Sequence, residues 1–160
     1  KKSKPNFFIY LGSVDSNNFS FKIFNYLKKN PKRKIFFLLP QFNKNSKIYF
    51  KKYSKLKNVI LKKNIKNFSD QLMKNDYIFN SGGTSIFESL ILGKKPIVIH
   101  QNSNQKRLCE YLGSKKEIFH LKKFTDLKNL DFEKKNIFKL KKRKISSQGK
   151  NEIIKKIISL

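Results

Sequence analysis

The sequence contains no alanine and no tryptophan, and has one cysteine, one methionine, four prolines, six glycines and ten acidic residues. The single thiol, Cys109, excludes an internal disulfide framework and a thiolate zinc cluster. It fits a reducing compartment, so a cytoplasmic location is expected. No apolar run approaches the roughly 20 residues of a membrane-spanning helix, and no membrane span is expected. Lys1–Pro5 leads straight into the strand-like run Asn6–Leu11, which is too short for the apolar core of a secretory signal. The chain does not begin with Met, which suggests a piece of a longer protein. His100 and His120 are the only histidines, and they stand apart in sequence without Cys, Asp or Glu at ligand spacing. Neither a metal site nor a cofactor is expected.

The shortage of acids leaves the 160-residue chain with a formal charge of +28. Such a charge invites a nucleic-acid reading, because Lys and Arg displace counterions from phosphates. Its distribution argues otherwise. The two halves of the chain carry equal shares of the basic residues, and all but Arg33, Arg107 and Arg143 are Lys. Arg is the residue that dominates specific phosphate and base contacts. Lys, Asn, Ile, Phe and Tyr make up more than half the chain, as an A/T-rich coding bias acting on a tolerant surface would produce. A nucleic-acid partner is therefore not expected. The residual role of the charge is attraction of anionic small molecules. The 38% hydrophobic content, with 16 Phe, is too high for a disordered polybasic tail. The length suits one domain over residues 1–160.

Short apolar runs alternate with helical stripes. Strands are expected at Asn6–Leu11, Lys34–Leu39, Val59–Leu61, Tyr77–Asn80, Pro96–Ile99 and Ile118–Leu121. Helices are expected at Asn18–Lys29 (capped by Ser16 or Asn17), Asn45–Leu56, Phe68–Lys74, Thr84–Leu92, from about Ser103 to Leu112, and Ile145–Leu160. Phe68, Leu72 and Met73 share one helical face. Ile86, Phe87, Leu90 and Ile91 are expected to point inward from the fourth helix. The Lys-rich stretch to about Leu140 has no clear period. This alternation indicates a Rossmann-like, doubly wound α/β domain with a mostly parallel sheet of about six strands. Such sheets bind ligands at the carboxyl ends of their strands, near the switch in strand order.

Three loops follow candidate strand ends. In Gly12-Ser13-Val14-Asp15, Gly permits a tight turn and Ser13 adds a hydroxyl; a plain turn with a Ser or Asp cap is the alternative. Asn80-Ser81-Gly82-Gly83-Thr84-Ser85-Ile86-Phe87-Glu88 offers free N–H groups and hydroxyls at a helix start, an anion site suited to phosphate. Glu88, one turn inside, could accept hydrogen bonds from a ribose diol, or could close a capping box with Ser85. A Walker-type loop is excluded, because no Lys-Ser/Thr follows a G-x-x-x-x-G frame. His100-Gln101-Asn102-Ser103-Asn104-Gln105 is dense in amides and hydroxyls that suit sugar or phosphate oxygens, or a polar helix entry. His100 reads as a polar strand exit before it reads as an acid or base. Cys109 falls in a core stripe with Leu108 and Leu112.

In this order, the segments Tyr10–Leu27, Asn64–Ile99 and Asn102–Gln105, with Ser146–Ile157 as a closing Gly-containing helix, resemble the C-terminal domain of GT-B glycosyltransferase-like proteins. Within these, the chain looks most like the UDP-sugar hydrolases of pseudaminic acid biosynthesis. It is more distantly similar to the N-acetylglucosaminyltransferase that completes lipid-linked peptidoglycan precursors. The resemblance implies a UDP-sugar substrate. Gly12 and Ser13 would lie by the diphosphate, and Ile65 would present backbone to uracil. Ser81, Gly82, Gly83 and Thr84 would hold phosphate, and Glu88 would bind the ribose hydroxyls. Asn104 and Gln105 would face the sugar or diphosphate. The family often has Gly-Gly in its first loop, where this chain has Gly12-Ser13. It also implies an N-terminal partner domain or subunit that completes the cleft and carries the catalytic residue, which has no counterpart in this chain. A sugar-transferring GT-B enzyme and a non-catalytic basic module that binds RNA or anions are the alternatives.

Overall fold

A computed structural model describes residues 5–132. The expected terminal helix at Ile145–Leu160, including Ser146–Ile157, lies outside the described residues, as does the end of the Lys-rich stretch. Among the described residues there are six strands: β1 (Asn6–Tyr10), β2 (Lys34–Leu38), β3 (Val59–Lys62), β4 (Tyr77–Asn80), β5 (Ile97–Ile99) and β6 (Phe119–Leu121). The helices are α1 (Phe19–Leu27), α2 (Asn45–Tyr53), α3 (Phe68–Lys74), α4 (Ser85–Ile91) and α5 (Ser103–Ser114), followed by a 3₁₀ turn at Phe124–Asn129. The strands form one sheet in the order β3-β2-β1-β4-β5-β6, and every adjacent pair is parallel. This is the doubly wound arrangement expected from the alternation of elements.

The central strands read as continuous apolar runs because both faces of the sheet are covered. On one face, Phe7, Ile9, Phe37, Phe79 and Ile99 pack with Phe21, Ile23, Phe24 and Leu27 of α1, and with Leu127, Leu130 and Phe132 beyond β6. The opposite face divides in two. Phe8, Leu38 and Ile78 pack with Leu72 of α3. Val98 and Ile118 pack with Ile86 and Leu90 of α4 and with Cys109 and Leu112 of α5. Arg33 lies against the rings of Phe7, Tyr26 and Phe132, with its guanidinium carbon 5.7, 5.6 and 5.3 Å from their centroids. The Tyr77 hydroxyl donates to the Phe132 carbonyl at 2.6 Å, which ties the end of the described chain to the sheet.

Two expectations about side-chain direction and one about a helix cap need correction. Of the four apolar residues assigned to the inward face of α4, only Ile86 and Leu90 point inward, while Phe87 and Ile91 are 41% and 54% exposed. The inward stripe is instead Ser85, Ile86, Ser89 and Leu90, turned by one residue. Hydrogen bonds hold that rotation, because Asn80 Nδ2 at the end of β4 donates to Ser85 O (3.0 Å) and Ser89 Oγ (2.9 Å). Met73 is likewise exposed, and Leu72 alone of α3 is buried. The cap of α1 is neither Ser16 nor Asn17. The buried Asp15 carboxylate accepts from Phe19 N at 3.0 Å and from Ser20 N at 2.9 Å. It reaches these groups because Asp15 and Asn18 adopt left-handed backbone, which residues with short polar side chains tolerate.

Candidate functional site

The strand order reverses between β1 and β4, so the loops leaving these two strands sit side by side at the carboxyl edge of the sheet. Gly12 ends β1 with φ of 95°, a conformation that strains any residue with a Cβ. A Cβ built on Gly12 would lie 3.9 Å from Ser81 Oγ, which measures how closely the two loops approach. Loop one is braced from both sides. Phe42 N donates to Ser13 O at 2.8 Å, and Gln101 Nε2 donates to Leu11 O at 2.6 Å. Asn17 Nδ2 adds a bond to Gln101 O at 3.2 Å. The loops after β1, β2 and β5 are therefore one hydrogen-bonded rim.

The loop after β4 is the tightest part of the site. A Cβ on Gly82 would meet Gln105 Cβ at 2.5 Å and Cys109 Sγ at 3.0 Å, so α5 can lie where it does only because residue 82 is glycine. Gly83 has room for a Cβ, with Ser81 Oγ at an ordinary 3.7 Å. Ile86 N and Phe87 N bond back to Gly83 O (3.2 Å) and Thr84 O (2.9 Å), closing the first turn of α4. The N–H groups of Gly83, Thr84 and Ser85 have no hydrogen-bond acceptor among the described residues. Three consecutive free donors at a helix start form a concave, positively polarised surface. Thr84 and Glu88 are exposed beside it. Thr84, at the N-cap position of α4, makes no side-chain cap bond, and no hydrogen bond links Glu88 to Ser85, so the Ser85–Glu88 capping box does not form. The Glu88 carboxylate thus remains available to a ligand.

The other predicted residues have mixed placements. The Gln105 carbonyl oxygen accepts from Gly82 N at 3.2 Å and from Gln101 N at 2.9 Å, so its side chain fastens the β4 loop to the β5 loop. Asn104 is exposed on the first turn of α5, where Asn102 caps the helix by accepting from Gln105 N at 2.9 Å. The Ile65 side chain is half-buried against the Phe8–Leu38–Leu72–Ile78 cluster.

Sequence reasoning did not single out Asn80 and Gln101, which shape loops of the rim through buried or half-buried hydrogen bonds. Asp15 fills the Asp-cap alternative read for the first loop. The signal at Asn80 and Gln101 was a polar residue at the end of an apolar strand, which also describes an ordinary turn. The partnership of the histidines was missed as well. His100 and His120 do not stand apart, because His100 Nδ1 lies 3.0 Å from His120 Nε2 across β5 and β6. Burial first, then the neighbouring His100, push the His120 pKa down from its usual value. Burial also raises the Cys109 thiol to about 11, as befits a core residue. Among the described residues no three His, Cys, Asp or Glu side chains gather as a metal site would require. No helix among the described residues is long and apolar enough to cross a membrane.

A six-stranded parallel sheet in this order, with glycines in the loops at its switch point, is a Rossmann-like, doubly wound α/β fold, a class whose ligands bind at that switch point. The same fold occurs in two solved structures. The glycosyltransferase of kitacinnamycin superposes with a TM-score of 0.59 at 17% identity, over 74% of this chain and 30% of that one. The C-terminal CMP-Kdo-binding domain of WaaA from Acinetobacter baumannii superposes with a TM-score of 0.56 at 11% identity, over 80% of this chain and 78% of that one. Identities this low establish the likeness of fold alone. In sequence, an uncharacterised protein of Methanocaldococcus jannaschii is 28% identical over 163 residues, covering 99% of this chain and 32% of that protein. The chain thus spans about a third of the length of that relative. No protein-family model matches the chain.

Proposed function

We propose that this domain binds a UDP-activated sugar at the β1–β4 crevice, as the nucleotide-binding half of a GT-B-type enzyme. The observation that carries this reading is the row of free N–H groups at Gly83, Thr84 and Ser85, in the loop whose Ser81 approaches the Gly12 turn, with the exposed Glu88 carboxylate one turn along α4. The free N–H groups suit the diphosphate. A carboxylate that accepts two hydrogen bonds suits the ribose diol. Gln101 and Gln105 act as braces that tie the loops together at a fixed spacing. Ile65, in the loop after β3, is the candidate for backbone contact with the base. The surrounding lysines raise the local concentration of a ligand carrying two or three negative charges.

The resemblance in sequence supports a hydrolase that releases UDP from an amino sugar destined for a pseudaminic-acid-type product. Water would attack the anomeric carbon, the bond from that carbon to the phosphate oxygen would break, and the crevice donors would stabilise the leaving diphosphate. The group that activates the water would come from an N-terminal domain or subunit across the cleft. None of the described crevice residues fills that role, since the Asp15 carboxylate is spent on the α1 cap and His100 Nδ1 is engaged by His120. The second reading is transfer of the sugar to an acceptor, and the glycosyltransferase among the structural neighbours favours it. Titration calorimetry of the chain with UDP and with CMP tests the shared core of both readings. UDP should bind with measurable heat, and Glu88→Ala should weaken it about tenfold while leaving the fold intact, the cost of a lost charge-assisted hydrogen bond. Absence of heat at millimolar UDP, together with indifference to Glu88→Ala, refutes the reading.

A further inference from the structure

A concavity of about 590 Å3 lies beside β6 and the end of α5. Lys95, Lys116, Lys122, His120 and Glu110 line it. Gly113 makes it possible, because a Cβ there would press on His120 Cβ at 3.3 Å and hold α5 away from β6. The three lysines come from separate places in the chain: the turn before β5, the turn after α5, and the exit of β6. None of them forms an ion pair among the described residues. Glu110, the one acid in the lining, is occupied on the exposed surface of α5 by Lys106 at 3.8 Å. Lys116 holds a left-handed backbone, φ 60°, at a helix end where glycine or asparagine is the ordinary choice. Burial, and then the Lys116 charge, lower the Lys95 pKa. One carboxylate among three ammonium groups leaves an excess of positive charge in the concavity, and an anion seated between the lysines relieves their repulsion.

We propose that this concavity is a binding site for a phosphate-bearing small molecule, with Lys95, Lys116 and Lys122 as counter-charges and the His120 ring as a hydrogen-bond donor. His120 Nε2 faces His100 Nδ1 at 3.0 Å. An anion therefore selects the tautomer in which His120 Nδ1–H donates to the ligand and Nε2 accepts from His100 Nδ1–H. His100 opens the loop whose Gln101 and Gln105 brace the β1 and β4 loops, so occupancy here is felt at the rim of the crevice. The volume falls in the range of about 300–1,000 Å3 typical of small-ligand sites.

The probe is inorganic phosphate, titrated into the 160-residue chain at about 0.15 M salt, where long-range surface attraction is largely screened. The ring nitrogens of both histidines are followed by NMR. Saturable shifts at His120, with a linked shift at His100, are expected. Lys95→Gln and Lys122→Gln should each raise the apparent Kd about tenfold, and Lys116→Asn, which suits the same backbone, should do likewise. Lys47→Gln and Lys55→Gln, which remove the same charge from the exposed α2 region, should leave it unchanged. Shifts that never saturate, or an equal loss in the α2 controls, would mean general attraction to a basic surface and would overturn the proposal. The wild-type titration decides the matter even if a variant fails to fold.

Discussion

Replacing Gly82 by alanine isolates the packing that sets the width of the crevice. The added methyl would sit 2.5 Å from Gln105 Cβ and 3.0 Å from both Gln105 Cγ and Cys109 Sγ. Carbon atoms rest comfortably at about 3.5–4.0 Å, so about 1 Å of overlap must be relieved. Rotation of a side chain cannot relieve it, because Gln105 Cβ is fixed to the backbone of α5, and Cys109 is fully buried one turn further along. The helix must move. Overpacking of this kind costs about 1–3 kcal/mol. The movement also strains the bonds from Gly82 N and Gln101 N to Gln105 Oε1, each worth about 1 kcal/mol net. A loss of about 3 kcal/mol is expected, which lowers Tm by about 10 °C for a domain of this size. Gly83→Ala is the matched control. Its Cβ meets only Ser81 Oγ at 3.7 Å, so its stability should lie within about 0.5 kcal/mol of wild type. Urea denaturation of both variants is the assay. Equal stability of Gly82→Ala and Gly83→Ala would refute the argument that the close approach of α5 dictates glycine at residue 82.

Asp15→Ala should cost about 3 kcal/mol in the same assay, about 2 for the lost cap and about 1 for alanine in a left-handed conformation, while Asp15→Asn, which tolerates that backbone, should cost less. Stability should fall as the pH drops below about 6.5. The folded state depresses the His120 pKa, so the unfolded chain takes up the proton first; urea midpoints at pH 5 and 7.5 should differ less in His120→Gln. Cys109, with its pKa raised to about 11 and its side chain buried, should resist alkylation at pH 8 until denaturant is added; rapid labelling of the native chain would contradict its place in the α4–α5 core.

The strands were legible because burial on both faces demands short, continuous apolar runs, and β4 and α3 fall at the expected residues. Boundaries elsewhere moved by one or a few residues, where a single turn or cap bond decides the end. Helix rotation was less legible. In α4 the apolar set Ile86, Phe87, Leu90 and Ile91 defines a plausible inward face. The observed face instead includes Ser85 and Ser89, because Asn80 binds them both. Sequence periodicity weighs only apolarity and is blind to a buried polar latch that arrives from another element. At the switch point the Gly12 turn approaches Ser81, while Gly82 packs against α5 and the Gln105 side chain braces the protein's own loops.

By itself, the sequence determined the class of fold, the strand ends from which the loops spring, and the improbability of a disulfide framework, since all of these follow from the local order of apolar, glycine and cysteine residues. Only the tertiary structure decided which polar groups are already spoken for. Asp15, Asn80 and Gln105 spend their hydrogen bonds on capping and bracing, whereas the Glu88 carboxylate remains exposed. It also joined His100 to His120 and gathered Lys95, Lys116 and Lys122 about one concavity. The physical reason is the parallel sheet itself. Its register brings residues about 20 apart in the chain side by side, and no local pattern of charge or spacing records that pairing.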